Sequence, residues 1–120
     1  MNKTIKSYFA LAKSNTHSHE FIVRDLEFFL KSMGISDSII TLKDDFDLSK
    51  EQIKKIENFF SSYIAGLPVD YILNESMFYG FKFFVDSRVL IPRPETELII
   101  DNILDFKLTK NSKIVEVGTG

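Results

Sequence analysis

The chain has 120 residues, of which 44% are hydrophobic, and its 15 basic and 17 acidic residues give a formal net charge of −2. Up to Gly66 there are nine Lys and Arg residues against nine Asp and Glu residues. Domains that bind duplex nucleic acid usually carry clustered basic residues. The charge balance therefore argues against phosphate-backbone binding as the main task of the chain.

Cysteine is absent from the chain, which excludes disulfides and thiolate metal ligands and fits a reducing compartment. His17 and His19 have the spacing of metal ligands, but the chain has no further histidine, so we predict no metal site. Charged residues interrupt the N-terminus before an apolar core builds up, which argues against a signal peptide. The apolar runs are far shorter than the ~20 residues needed to span a bilayer. We therefore expect a soluble, cytoplasmic monomer that does not contact membranes.

Two apolar stripes at helical spacing predict the first two helices. The first stripe consists of Ile5, Tyr8, Phe9 and Ala12, and the second consists of Ile22, Leu26, Phe29 and Met33. Gly34 follows the second stripe, in the usual position of glycine just past the end of a helix. Residues 39–42 contain three further apolar side chains, which predict a short helical turn.

The start of the next helix is the clearest local signal. Ser49 and Gln52 have the spacing of a capping box, and Leu48 and Ile53 are placed to form a hydrophobic staple around it. The buried face predicted for this helix consists of Ile53, Ile56, Phe60, Tyr63 and Ile64. Gly66 is expected to end the helix.

Pro68 suits the first turn of a short helix over residues 69–73, and after it the pattern changes. Residues 77–85 are aromatic and β-branched with Gly80 at the centre, which predicts a β-hairpin. No basic cluster accompanies its phenylalanines at 81, 83 and 84. We therefore interpret these rings as the core of the hairpin rather than as a surface for stacking bases.

Pro92 and Pro94 hold the residues before them extended, because a residue before proline is pushed out of the α region. Pro94 can serve as the first residue of a helix whose opening turn carries Glu95 and Glu97, favourable charges at that end of the helix dipole. The buried side predicted for this helix consists of Ile99, Ile100, Ile103 and Leu104. Residues 113–117 then predict a fully buried strand.

These elements predict an α+β fragment in three parts. Residues 1–73 would form a small all-helical domain, residues 74–92 a β-hairpin connector, and residues 93–120 the first helix and strand of an α/β domain. We expect the chain to stop inside that last domain.

The sequence Glu-Val-Gly-Thr-Gly at 116–120 resembles the first motif of class I, Rossmann-like methyltransferases, in which an acidic residue ends a strand and a glycine loop follows. Glycines let a backbone approach a cofactor closely, and a following helix would offer free N–H groups to its carboxylate. A carboxylate such as Glu116 would favour the cationic end of S-adenosylmethionine. The candidate cofactor-binding residues are Glu116, Gly118, Thr119 and Gly120. The alternative is an ordinary turn without a ligand, because short motifs recur by chance.

Three further motifs resemble, in order and spacing, the release-factor glutamine methyltransferases. They are the Gly-x-Pro-x-x-Tyr-Ile turn at 66–72, the Phe-Tyr-Gly hairpin at 78–80 and the Ile-Pro-Arg-Pro-Glu-Thr-Glu helix start at 91–97. A sister group that methylates a ribosomal protein tends to have Pro-Arg-Ser-Pro at this helix start, so the chain resembles the release-factor type. The resemblance is strong over about residues 49–120 and extends to the first two helices only as a helical pattern.

The resemblance implies methyl transfer from S-adenosylmethionine to the glutamine side-chain amide in the Gly-Gly-Gln loop of class 1 peptide chain release factors. The family holds this poorly nucleophilic amide with an Asn-Pro-Pro-Tyr motif, by orientation and electrostatic preorganisation. The chain contains no Asn-Pro-Pro-Tyr. We therefore expect no catalytic residue within it, and we expect the 120-residue fragment alone to be inactive. The helical domain would help to hold the protein substrate.

Two residues, one just before the Pro-Arg-Pro turn and one within it, are candidates for substrate binding. Leu90 would line the mouth where the substrate glutamine enters, with ordinary core packing as the alternative. Arg93 could reach toward the active site. Alternatively, it pairs with Glu95 or Glu97 within a rigid connector that seats the helix.

Two other functions stay open beside the enzyme. In isolation the fragment would be a non-enzymatic helical module that docks a substrate. The complete protein could also be a nucleic-acid amino-methyltransferase, because adenine methylases use an Asn-Pro-Pro-Tyr motif and a class I fold as well. The charge balance argues against direct DNA binding.

Overall fold

The computed structural model describes residues 3–15, 17, 19–42 and 46–119. Its elements in chain order are α1 (Ile5–Ser14), α2 (Ile22–Ser32), α3 (Asp37–Leu42), α4 (Lys50–Ile64), α5 (Val69–Leu73), β1 (Glu75–Phe78), β2 (Phe81–Phe84) and α6 (Pro94–Asp105). The described part of the chain is therefore α+β, with a group of helices α1–α5 that we call the helical domain, an antiparallel hairpin and one further helix. None of the helices among the described residues is long and apolar enough to cross a membrane.

The core of the helical domain forms where α1, α2 and α4 face one another. Both predicted stripes are confirmed, except that Met33 is only partly buried, at the C-cap of α2. The buried side chains are Ile5, Tyr8, Phe9, Ala12, Ile22, Leu26, Phe29, Leu30, Ile35, Ile40, Ile56, Phe59 and Phe60. The rings of Phe29 and Phe59 stack with their centroids 4.8 Å apart, which joins α2 to α4.

The buried face of α4 differs from the predicted one. Phe59, which the prediction omitted, is fully buried, whereas Ile64 is exposed. Ile56, Phe59, Phe60 and Tyr63 follow the i, i+3, i+4, i+7 spacing of a single stripe. Ile64 lies eight residues after Ile56 and falls at the edge of that stripe, where the chain leaves the helix.

The capping box at the start of α4 is confirmed. The backbone N–H of Gln52 donates to Ser49 Oγ at 3.2 Å, and the backbone N–H of Ser49 donates to Gln52 Oε1 at 2.9 Å. Leu48 packs against the core and Ile53 is half-buried, while the staple between them stays a prediction. The reciprocal bonds satisfy two donors that would otherwise have no partner within the helix.

We expect Ser49→Ala to lower the free energy of unfolding by about 1 kcal/mol, the usual loss of an N-cap serine. Ser61→Ala is the matched control, because Ser61 is an exposed serine near the other end of the same helix, where alanine is at least as good a helix former. Chemical denaturation of both variants measures the difference. A midpoint unchanged by Ser49→Ala would mean that α4 does not depend on this cap.

The α5 helix and the hairpin follow closely on one another. The bounds predicted for α5 are confirmed, although Pro68 is its N-cap residue and lies just outside the first turn. Asn74 ends α5 in the left-handed conformation at φ 53°. Its side chain donates to the carbonyl oxygen of Val85 at 3.1 Å, and its own carbonyl accepts the N–H of Val85 at 3.3 Å. The base of the hairpin is therefore fixed to the end of α5.

The predicted hairpin is confirmed, with the antiparallel register Glu75↔Phe84 and Phe78↔Phe81. Its two-residue turn has positive φ at both Tyr79 (49°) and Gly80 (77°), as the favoured hairpin turn requires. The interpretation of its phenylalanines as a core is wrong: Phe81, Phe83 and Phe84 are all exposed. A two-stranded ribbon has no second layer to cover its faces, so burial depends on elements that pack against it.

The α6 helix begins at Pro94, as predicted, after an extended Arg93 at φ −97° and ψ 141°. Its predicted buried side is wrong, because no residue of α6 is buried. Ile99 and Leu104 are exposed, and Ile100 and Ile103 are half-buried. The spacing of these side chains defines an apolar face, but no element among the described residues covers it.

The predicted buried strand over residues 113–117 is also wrong. These residues form no regular secondary structure, and Val115 and Val117 are 86% and 91% exposed. A strand is defined by hydrogen bonds to a neighbouring strand. The only strand pair among the described residues is the β1–β2 hairpin, which does not extend to this segment.

Candidate functional site

The candidate site begins with the irregular segment 86–93 between the hairpin and α6, which we call the connector segment. Asp86 accepts the backbone N–H of Arg88 at 3.0 Å and pairs with its guanidinium at 2.6 Å. The hydrogen bonds from Arg88 hold the pKa of Asp86 below its usual range, so its carboxylate stays charged. The N–H of Val89 donates to the carbonyl of Asp86 at 3.0 Å. The segment thus starts with a local turn.

One side chain of the helical domain holds the connector segment. The hydroxyl of Tyr71 in α5 donates to the carbonyl oxygen of Val89 at 2.6 Å. Val89 immediately precedes Leu90, one of the two residues predicted to bind substrate. The helical domain therefore fixes the backbone beside this candidate residue.

The two predicted substrate-binding residues are both on the surface. Leu90 is 73% exposed, so the alternative of core packing is wrong for the described chain. Arg93 is exposed and forms no ion pair with Glu95, Glu97 or any other described residue. Both side chains are therefore accessible to a ligand, and the predicted Arg93 pairing is not formed.

The hairpin turn binds the first half of α6. The backbone N–H of Tyr79 donates to Glu97 Oε1 at 2.8 Å, and its hydroxyl donates to Asp101 Oδ1 at 2.8 Å. The hydrogen bond to Asp101 raises the pKa of Tyr79, so the hydroxyl keeps its proton as a donor. Glu97, expected as a charge at the helix start, thus has a second role as an acceptor for the hairpin.

The glycine loop lies at the end of the described chain. Gly118 has φ +82°, a left-handed conformation that favours glycine, and a Cβ added there would meet no atom within 4 Å. Glu116 and Thr119 are exposed, and Gly120 lies outside the described residues. An exposed carboxylate complements a cationic group, and a turn without a side chain leaves its backbone open to a ligand. No hydrogen bond or ion pair among the described residues brings this loop to Leu90 or Arg93.

A polar cluster in the helical domain was not predicted from the sequence. Asp25 is only 6% exposed and accepts the hydroxyl of Tyr63 at 2.6 Å and the guanidinium of Arg24 at 3.0 Å. Burial and the bond to Asp25 raise the pKa of Tyr63. The ring of His19, considered above as a metal ligand, packs edge-on against Tyr63 at 5.8 Å. The burial of Asp25 could have been predicted, because Asp25 lies three residues after Ile22 on the buried stripe of α2.

A groove of about 510 Å³ runs along the surface of the helical domain between α2, α4 and α5. Apolar side chains such as Phe59 and Leu73 line it together with the polar Asn58 and Ser62. Tyr71, whose hydroxyl holds the connector segment, also lines this groove. Tyr71 therefore lines the groove and also holds the connector segment beside it.

No family model matches the chain, but individual curated proteins do. A release factor glutamine methyltransferase from Streptococcus pneumoniae is 36% identical over 91 residues, which cover 76% of this chain and 32% of that protein. One from Buchnera aphidicola is 39% identical over 82 residues, 68% of this chain and 30% of that protein. One from Clostridium acetobutylicum is 28% identical over 118 residues, 97% of this chain and 40% of that protein.

The chain is a homologue of the release factor glutamine methyltransferases. These similarities confirm the resemblance seen in the three motifs. The name of the relatives describes enzymes that modify proteins. The match to the Clostridium protein covers nearly the whole chain, including the helical domain, where the motifs gave only a helical pattern. The chain spans about a third of the length of the release factor glutamine methyltransferases it matches.

Proposed function

We propose that the complete protein transfers a methyl group from S-adenosylmethionine to the glutamine side-chain amide in the Gly-Gly-Gln loop of class 1 peptide chain release factors. The observation that supports this most strongly is the similarity to release factor glutamine methyltransferases over two thirds or more of the chain. The proposal includes a cytoplasmic, monomeric enzyme.

Glu116, Gly118, Thr119 and Gly120 are the residues we assign to the cofactor. The left-handed turn at Gly118 supports this assignment, because it presents backbone without a side chain at the position where a ligand would approach. The exposed carboxylate of Glu116 has the charge that complements the cationic end of S-adenosylmethionine. When bound, the cofactor supplies an electrophilic methyl group. These residues form the start of a Rossmann-like domain in this proposal.

Residues 1–73 are the part we assign to substrate docking, and residues 74–92 connect this domain to the catalytic one. Leu90 in the connector segment is exposed to solvent. Arg93 is also exposed and forms no ion pair with another described residue. An exposed apolar side chain and an exposed cation three residues apart suit a protein loop that carries both apolar and polar groups. We assign no catalytic residue within the chain, since it contains no Asn-Pro-Pro-Tyr.

The experiment that tests the proposal uses the complete protein with S-adenosylmethionine labelled in its methyl group. A release factor and duplex DNA are offered as separate substrates. Label on the release factor supports the proposal, and label on DNA alone would support a nucleic-acid methyltransferase instead. No label on either would leave the non-enzymatic docking module as the better account.

The 120-residue chain by itself should bind S-adenosylmethionine far more weakly than the complete protein does. Residues 113–117 lack neighbouring strands among the described residues, so the loop from Glu116 to Thr119 has no rigid support. A loop that must be ordered on binding loses affinity to the entropy of that ordering. Isothermal titration calorimetry of both forms measures the difference. Micromolar binding to the 120-residue chain would contradict this expectation.

A further inference from the structure

Two tyrosine hydroxyls connect the three parts of the molecule. Tyr71 of α5 donates to the carbonyl of Val89, 18 residues later, and joins the helical domain to the connector segment. Tyr79 of the hairpin turn donates to Asp101, 22 residues later, and joins the hairpin to α6. Among the described residues, no other side-chain hydrogen bond joins the helical domain to the connector segment, although Asn74 at the end of α5 donates to the carbonyl of Val85 at the base of the hairpin. The hairpin has one more to α6, from the N–H of Tyr79 to Glu97.

Apolar packing does little to fix α6 in this arrangement. None of its residues is buried, and its exposed side chains include Leu98, Ile99 and Leu104. The connector segment has no regular secondary structure that would make it rigid. An element with so little buried apolar surface has low local stability, so each hydrogen bond to it contributes a larger share of what fixes its orientation. The bond from Tyr79 is the stronger kind, because its acceptor is a carboxylate.

We infer that Tyr71 and Tyr79 are positioning residues that set the orientation of the helical domain relative to α6 and the methyltransferase domain that α6 begins. The effect on substrate binding rests on the proposed function. A release factor that contacts both domains binds tightly only when the two domains are correctly oriented. Neither tyrosine touches the reacting atoms. Their hydroxyls act through the connector segment and the hairpin.

The orientation can be measured without any enzymatic assay. Lys54 and Asn102 are exposed residues of α4 and α6, and this chain contains no cysteine, so Lys54→Cys and Asn102→Cys provide sites for two spin labels. Any cysteine elsewhere in the complete protein is replaced by serine. We expect a narrow distance distribution between the labels in the parent protein. Tyr71→Phe and Tyr79→Phe should each broaden it, because each removes one hydrogen bond and little volume.

Tyr8→Phe is the matched control for these two substitutions. Tyr8 lies in the core of the helical domain, and its hydroxyl contacts neither the connector segment nor α6. The control should leave the distance distribution unchanged. Distributions that stay narrow in both Tyr71→Phe and Tyr79→Phe would overturn the inference, as would equal broadening in Tyr8→Phe.

A kinetic measurement tests the consequence for the substrate. Loss of the Tyr71 hydroxyl should raise the KM for an intact release factor about two- to tenfold, the range expected for one hydrogen bond. The kcat, the cofactor Kd and the KM for a short peptide carrying the glutamine loop should not change, because the peptide cannot reach both domains. An equal rise for peptide and intact factor would contradict a role in orientation. If the unmodified protein labels no release factor, the proposed function is wrong. The distance measurement then still tests whether the two tyrosines set the orientation of the domains.

Discussion

Replacement of Gly118 with valine should weaken S-adenosylmethionine binding by the complete protein on the order of 100-fold, or about 2.7 kcal/mol. Gly118 has φ +82°, and a left-handed conformation costs an ordinary residue roughly 1–2 kcal/mol, with β-branched residues at the upper end. The loop of the valine variant would therefore adopt another conformation, and this cost would be met when the cofactor binds. The remainder comes from the side chain, which would hold the cofactor away from backbone groups worth about 1 kcal/mol per hydrogen bond. Calorimetry on the complete protein measures the effect.

Gly34→Val is the matched control for this substitution. Gly34 has φ +80° and, like Gly118, has no atom within 4 Å of an added Cβ, so the local backbone cost is the same. Gly34 lies just past α2 in the helical domain, away from the proposed cofactor loop. The control should lower thermal stability and leave the cofactor Kd unchanged. Cofactor binding by Gly118→Val as tight as that of the parent protein would remove the assignment of this loop.

The parts of the fold that the sequence predicted well are those specified by neighbouring residues. The capping box of Ser49 and Gln52, the helix start at Pro94 and the hairpin turn at Gly80 each depend on a few consecutive positions. Cap and turn preferences act locally, so they can be recognised without knowledge of tertiary contacts. The same holds for the stripes of α1 and α2, whose partners lie within the same helical domain.

Three of the predictions that failed concern burial against a distant partner. Residues 113–117 have the composition of a buried strand, and the exposed residues of α6 have the spacing of a buried face, but the described chain supplies nothing to cover either. The composition of a segment indicates which side chains can be buried. Whether they are buried depends on a neighbouring element that packs against them. The exposed phenylalanines of the hairpin follow the same rule.

The candidate site was predicted in part for a related reason. The motif around Gly118 and the candidate residues Leu90 and Arg93 could be found from local sequence, whereas the exposure of these two side chains became visible only in the structure. The hydrogen bonds of Tyr71 and Tyr79 join residues 18 and 22 positions apart, and that of Tyr63 to Asp25 joins residues 38 positions apart. No periodicity or motif records such pairs, so their roles became visible only in the structure.

The proposed reaction makes a strong demand on its substrate group. An amide nitrogen is a poor nucleophile because its lone pair is delocalised into the carbonyl, so a methyltransferase must hold that group in one orientation toward the methyl donor. Specificity should therefore depend on the identity of one glutamine in the release factor as well as on the surface around it.

The most direct test of this account is methylation of a release factor whose loop glutamine has been changed. The complete protein is incubated with labelled S-adenosylmethionine and either the unmodified factor or a variant with asparagine at that position. Asparagine has the same side-chain amide as glutamine, but its side chain is shorter by one methylene group. Such a displacement can cost about 100-fold or more in rate. We predict label on the unmodified factor and none above background on the variant. Equal labelling of both factors would contradict the account.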